Sequence, residues 1–144
     1  MRSPREAAFV TPSVTFDQML EKIRYEGAYP TRERAETVTH AVLAALGRQL
    51  TGDERVSLAA CLPTEAARTF TAEIPDPGHL TGWGFVKDLA ARTGGTAATV
   101  RWDTGAVLAT VGDLAGPELL DRILAQLPSG YALLFGRAEL IQAA

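Results

Sequence analysis

The sequence predicts an all-α fold in which two tandem helical repeats, of about four helices each, pack as one pseudo-two-fold symmetric helical bundle. Three observations lead to this prediction. Apolar residues recur at steps of three and four, and no stretch alternates with period two over the length of a strand. A Leu-Pro pair occurs twice, at residues 62–63 and 127–128, and a phenylalanine follows each pair at the same distance, at Phe70 and Phe135.

The internal repeat extends over most of the chain. Toward the start of each unit the offset between equivalent positions is 66, and it becomes 65 farther along, which one residue inserted before the sixth helix explains. Four amphipathic helices cannot bury their apolar faces alone, so we expect the two copies to stack on each other. With the offset of 65, Val42, Leu43, Gly47, Leu58, Leu62 and Phe70 correspond to Val107, Leu108, Gly112, Ile123, Leu127 and Phe135.

The repeat and the proline positions predict the domain boundaries. We expect an N-terminal tail at residues 1–14 and a single helical domain at 15–144. This domain is divided into repeat one at 15–70, a linker at 71–80, repeat two at 81–136 and a C-terminal tail at 137–144. The linker contains Pro75, Pro77 and Gly78, which interrupt helices.

Capping residues delimit the first two helices. Thr15, with Gln18 three residues later, has the pattern of a capping box for the first helix, and Gly27 is placed to end it. Thr31 is the expected N-cap of the second helix. This second helix has the strongest helical periodicity of the first half, formed by Val38, Ala41, Val42, Ala45, Leu46 and Leu50.

The third and fourth helices have similar signals. Thr51 and Glu54 fit a second capping box, which predicts that the third helix begins near Gly52. Pro63 disfavours a helical residue before it and suits the first position of a short fourth helix that ends near Phe70.

The same order of helices is predicted again in the second repeat. Gly94 should end the fifth helix, and a longer sixth helix should follow. Gly116 and Pro117 mark the start of the seventh helix, and Pro128 is expected to begin the last short one.

Composition excludes several classes of function. The net charge of −3 argues against a nucleic-acid-binding protein, because such proteins usually carry a basic stripe. The single cysteine cannot form an internal disulfide, which favours a reducing compartment. The N-terminus lacks the apolar core of a signal peptide, and no apolar run approaches the roughly 20 residues of a membrane helix. We therefore expect a cytoplasmic protein that binds neither nucleic acid nor membrane.

Three stretches resemble a known family. Residues 35–50 read AxxVxxAVLxxLxxxL, residues 58–63 end in Leu-Pro, and residues 125–135 read AQLPxxYxxLF. This pattern is similar to the bacterial domain-of-unknown-function family 2267. The resemblance implies an all-helical, internally duplicated fold, and it implies no reaction, cofactor or catalytic residue. The family's glutamine before Leu-Pro is present at Gln126 but is replaced by Cys61 in the first copy.

Two residues are candidates for ligand binding on the basis of their chemistry. Cys61 could act as a nucleophile or as a soft ligand for a metal or haem, and the favoured interpretation is a buried residue at a helix end. His40 could bind a metal or act as a base, and a packing role is favoured because its counterpart in the second repeat is Gly105. No catalytic or metal-binding residue and no cofactor is predicted, since zinc spacings, serine elbows and dinucleotide fingerprints are absent from the sequence.

Trp102 is the third candidate. It lies between Arg101 and Asp103, early in the predicted sixth helix. A large aromatic residue between opposite charges could bind a partner protein, or it could close the core against the first repeat. The sequence leaves both interpretations open.

The sequence favours a non-enzymatic helical module that acts through protein–protein association, as a homo-oligomer or with a partner protein. This hypothesis rests on two similar helical faces and on the lack of convergent polar residues. The alternative is a carrier or sensor of a small apolar ligand or cofactor bound between the repeats, since helical bundles often hold ligands between their helices. In that case His40 or Cys61 would contact the ligand.

Overall fold

The structure is a computed structural model that describes residues 14–137. This part of the chain forms eight helices and no strand, so the all-α prediction is confirmed there. Residues 1–13 and 138–144, which make up nearly all of the two predicted tails, lie outside the described residues. The helices are α1 (Phe16–Glu26), α2 (Arg32–Gly47), α3 (Gly52–Cys61), α4 (Thr64–Ala72), α5 (Gly82–Thr93), α6 (Ala97–Ala115), α7 (Pro117–Gln126) and α8 (Tyr131–Leu134).

Helices α2 and α6 lie at the centre of the fold and contact each other. Each also contacts the first helix of the other half, because α1 packs on α6 and α5 packs on α2. Helix α4 covers α2, α7 and α8 pack on α6, and α3 contacts α7. Leu43 and Leu46 of α2 are fully buried, as are Val107 and Leu108 of α6. These residues belong to one hydrophobic cluster that includes both halves of the chain.

Several predicted helix ends are confirmed by their hydrogen bonds. The Thr15 backbone N–H donates to Gln18 Oε1 at 3.0 Å, and the Gln18 N–H donates to Thr15 Oγ1 at 3.1 Å, which is a complete capping box. The Thr31 hydroxyl accepts from the Arg34 N–H at 3.1 Å at the start of α2. Helix α5 ends at Gly94, whose φ of 77° is the left-handed conformation that glycine adopts readily.

The predicted capping box at the start of α3 is wrong. Thr51 is the N-cap residue, but its side chain makes no capping hydrogen bond to the helix. Gln126, at the end of α7, binds this position instead: its Oε1 accepts from the Thr51 N–H at 2.8 Å and its Nε2 donates to the Thr51 carbonyl at 3.0 Å. Nε2 also donates to Glu54 Oε1 at 2.9 Å. The residue before the second Leu-Pro pair thus fixes a helix start in the other half.

The final helix also differs from its prediction. Helix α8 begins at Tyr131, whereas the sequence suggested Pro128. Gly130 adopts a left-handed φ of 98°, and its backbone packs closely against Gly82 at the start of α5. A Cβ atom on Gly82 would lie 2.6 Å from the Gly130 carbonyl carbon. The chain after Pro128 therefore turns to make this contact before the helix begins.

Arg55 joins the ends of two helices. Its Nη1 donates to the carbonyl oxygens of Gly47 and Leu50, where α2 ends, the latter at 3.0 Å. Its Nη2 donates to the Glu73 carbonyl at 2.6 Å, just beyond α4. A cation at a helix C-terminus satisfies free carbonyls and interacts favourably with the helix dipole. The equivalent position of the second repeat is Leu120, so this interaction exists only in the first half.

We expect Gly47→Ala to destabilise the protein more than the equivalent Gly112→Ala. A Cβ at Gly47 would lie 2.1 Å from the Phe70 carbonyl oxygen, whereas a Cβ at Gly112 would meet the end of the Leu120 side chain at 3.2 Å. The backbone at Phe70 cannot move aside as a side chain can, so the first change should cost about 1–3 kcal/mol, the usual range for overpacking.

Urea unfolding of the variants tests this expectation. Gly78→Ala is the matched control, because no atom lies within 4 Å of a Cβ built at Gly78. Equal stability of Gly47→Ala and Gly78→Ala would contradict the close approach of α2 to the end of α4.

Candidate functional site

The structure places the three predicted ligand-binding residues at different positions. His40 lies on α2 beside α4, Cys61 ends α3, and Trp102 lies on α6 beside the end of α1. No hydrogen bond, ion pair or ring contact within residues 14–137 joins any two of them. The ligand-binding role of each residue is therefore a separate hypothesis.

The contacts of His40 are those of a packing residue. Its Nδ1 lies 2.7 Å from Thr69 Oγ1 on α4, and its Nε2 lies 3.5 Å from Glu36 Oε2. Its ring lies 5.8 Å from the ring of Phe16, tilted by 48°. The side chain thus connects α2 to α1 and α4, and its role as a ligand stays a hypothesis.

Cys61 is half-buried at the end of α3 and packs against the core. Burial raises the pKa of the Cys61 thiol. The thiolate is the form that attacks substrates and binds metals, so this environment makes it less available. Among residues 14–137, no group of three His, Cys, Asp or Glu side chains is arranged to hold a metal ion.

Trp102 is both exposed and fixed in position. Its indole Nε1–H donates to the Gly27 carbonyl oxygen at 2.9 Å, at the end of α1. The side chain remains 57% exposed, so the indole does not close the core. Of the two interpretations of Trp102, closing of the core does not fit this exposure, and binding of a partner protein stays the hypothesis.

A concave surface lies beside Trp102. It has a volume of about 270 Å³, and Leu133 of α8 is an exposed apolar residue in its lining. Glu26 and Arg101 bring opposite charges to the same lining, and Gly105 contributes no side chain. We call these five residues, Glu26, Arg101, Trp102, Gly105 and Leu133, the Trp102 surface.

A second concavity lies between α2, α5 and α6, and we call it the α2–α5–α6 cavity. Its volume is about 170 Å³. Helices of both halves contribute to its lining. The lining includes the apolar residues Val38, Ala41, Val42, Leu89 and Val100 and the polar residues Arg34, Thr37, Thr93, Thr99 and Asp103.

Tyr29 and Asp103 form a buried hydrogen bond beside this cavity. Tyr29 lies in the loop between α1 and α2, and its hydroxyl donates to Asp103 Oδ1 of α6 at 2.6 Å. Burial, followed by the hydrogen bond to Asp103 and the charge of that carboxylate, raises the pKa of Tyr29 well above its usual value. The positive charge of Arg34 acts in the opposite direction.

The sequence contains a signal for this pair that our interpretation did not use. Asp103 corresponds to Val38 of the first repeat, which is a buried residue of the apolar stripe of α2. A carboxylate at such a position requires a polar partner inside the fold. The identity of that partner, Tyr29, could not be read from spacing, because it lies 74 residues away.

We expect stability to fall at alkaline pH because two phenols are buried. Burial also raises the pKa of Tyr131, whose hydroxyl donates to the Leu80 carbonyl at 2.9 Å. A phenol with a higher pKa in the folded chain than in the unfolded chain favours folding fully below about pH 10. This contribution is lost as the pH rises further, because the unfolded chain then releases the proton more readily.

Urea unfolding between neutral and alkaline pH measures this effect. A variant with Tyr29→Phe and Tyr131→Phe should lose less stability at high pH than the unsubstituted protein. Tyr25→Phe is the control, since Tyr25 is exposed, and it should leave the pH dependence unchanged. An unaltered alkaline loss in the double variant would show that other groups cause it.

Comparison with known proteins gives the family of the chain. No curated protein matches the chain significantly. Within residues 14–137, no helix has both the length and the apolar character needed to cross a bilayer. A family model described as "Uncharacterized conserved protein (DUF2267)" matches residues 16–134, from the first residue of α1 to the last of α8. The chain therefore belongs to the DUF2267 family.

Proposed function

We propose that this protein is a non-enzymatic association module that pairs with a second copy of itself through the Trp102 surface. The observation that carries the proposal is the combination of exposure and fixed position at Trp102, which lies beside a concave surface. Tryptophan is enriched among the few residues that supply most of the binding energy in protein interfaces.

The fixed position of the indole favours binding. Its hydrogen bond to the Gly27 carbonyl restricts the ring before any partner arrives. A side chain that is already ordered loses less entropy on association, so the entropy cost offsets less of its interaction energy. Leu133 provides an exposed apolar side chain on which the Trp102 ring of a second copy can pack.

The charges of the surface favour a second copy as the occupant. A two-fold interface must be self-complementary, because the same surface faces itself. Glu26 and Arg101 lie on the Trp102 surface, and neither forms an ion pair with another described residue. In a two-fold dimer, Glu26 of each copy can pair with Arg101 of the other.

The Trp102 surface is not a general consequence of the repeated fold. With the offset of 65, Trp102 corresponds to Thr37 and Leu133 corresponds to Arg68. The first repeat therefore has polar residues where the second exposes apolar ones. This asymmetry supports a single association surface for each chain.

We also infer that residues 15–144 form one domain whose halves are related by a pseudo-two-fold axis. Two features support this arrangement. Helix α1 packs on α6, and its counterpart α5 packs on α2, the counterpart of α6. The counterparts α2 and α6 contact each other, and so do the counterparts α3 and α7. Residues at equivalent positions of the two repeats are both buried, for example Leu62 and Leu127, or Phe70 and Phe135.

The mass of the protein in solution tests the association. Light scattering should give twice the chain mass of 15.4 kDa. Trp102→Ala should raise the dimer Kd about 30-fold or more, the effect of losing roughly 2 kcal/mol at a central aromatic residue. Trp83→Ala is the matched control, because Trp83 is 58% exposed and lies on α5, and it should leave the mass unchanged. A wild-type protein that remains monomeric at high concentration would refute the proposal.

A charge exchange tests whether the occupant is a second copy in the stated arrangement. Glu26→Arg and Arg101→Glu should each weaken the dimer, because like charges then face each other across the two-fold axis. The double variant should recover association. If the single variants dimerise as well as the wild type, these residues do not face each other between copies.

A further inference from the structure

The α2–α5–α6 cavity has the size of a small-molecule site. Its volume of about 170 Å³ is similar to the roughly 150 Å³ of an engineered apolar cavity that binds benzene. Val38 and Val42 of α2, Leu89 of α5 and Val100 of α6 supply apolar walls. A compact ligand with an apolar body would bury its surface against these side chains.

Asp103 brings an incompletely paired carboxylate to this cavity. It is only 9% exposed, and its Oδ1 accepts the Tyr29 hydroxyl. Within residues 14–137, no hydrogen bond to Oδ2 and no ion pair to this carboxylate is present. Oδ2 is not among the fully buried polar atoms without a partner, so it is accessible, and a cation in the cavity could pair with it.

Arg34 lines the same cavity but does not provide that cation. Its side chain is exposed, and it forms no ion pair with Asp103. Arg34 lies on the first turn of α2 and is exposed, whereas Asp103 is nearly buried. The lining therefore combines a nearly buried carboxylate with several apolar side chains.

We propose that the α2–α5–α6 cavity binds a small molecule with a protonated amine and an apolar body, with the ammonium group on Asp103. The amine supplies the cation that the carboxylate lacks and donates a hydrogen bond to it. The apolar body contacts Val38, Val42 and Val100. Tyr29 is a positioning residue, because its hydroxyl holds the carboxylate in place. This function is independent of association through the Trp102 surface, which lies on other residues.

Benzylamine is a suitable probe because benzyl alcohol matches its shape without the charge. Titration calorimetry on the full chain should show saturable binding of benzylamine at one site, and binding of benzyl alcohol at least about tenfold weaker. Equal binding of the two compounds, or no binding of benzylamine at millimolar concentration, would overturn the proposal.

Two substitutions locate the bound amine. Asp103→Asn keeps an oxygen that can accept the Tyr29 hydroxyl but removes the charge, so benzylamine should bind at least about tenfold more weakly. Arg34→Gln removes a like charge from the edge of the cavity, so benzylamine should bind more tightly. Glu36→Gln, on the same helix but outside the cavity lining, is the control and should leave the Kd unchanged.

The Arg34 variant keeps the test decisive if Asp103→Asn fails to fold. An amine bound away from Asp103 and Arg34 would have an affinity insensitive to Arg34. Unchanged or weaker binding in Arg34→Gln would therefore contradict the assigned position of the amine, and so would full affinity in a folded Asp103→Asn variant.

Discussion

The packing of α2 against α6 is the contact on which the rest of the structure depends. Each of these helices is covered on several sides, and part of the cover comes from the other half of the chain. Leu43 and Leu46 of α2, and Leu108 of α6, are fully buried as a result. Burying one such side chain contributes about 1.5–3 kcal/mol, so the halves stabilise each other through surfaces that neither could cover alone.

Positions where the two copies differ carry much of the specific polar structure. Arg55 binds carbonyls at two helix ends, whereas the equivalent Leu120 is a core residue. The Gln126 amide forms hydrogen bonds with the start of α3. The equivalent Cys61 has no amide and is half-buried against the core. These differences make the packing of the two halves unequal, although their apolar residues follow the same pattern.

Both proposed binding surfaces also arise from such differences. Asp103 places a carboxylate where the first copy has Val38, and this change brings a carboxylate to the lining of the α2–α5–α6 cavity. Trp102 replaces the polar Thr37 of the first copy with an exposed aromatic ring. Packing alone explains an apolar residue that recurs at both equivalent positions, so both proposals rest on residues that break the repeat.

The sequence by itself determined the helical class and most helix ends, because each depends on residues within a few positions of one another. The Thr15 capping box is an example, since both of its hydrogen bonds join residues three apart. Only the tertiary structure decided that Gln126 caps Thr51 and that Tyr29 meets Asp103, because these partners lie 75 and 74 residues apart. Side chains so distant in sequence are brought together by helix packing, and local spacing carries no information about which helix faces they will share.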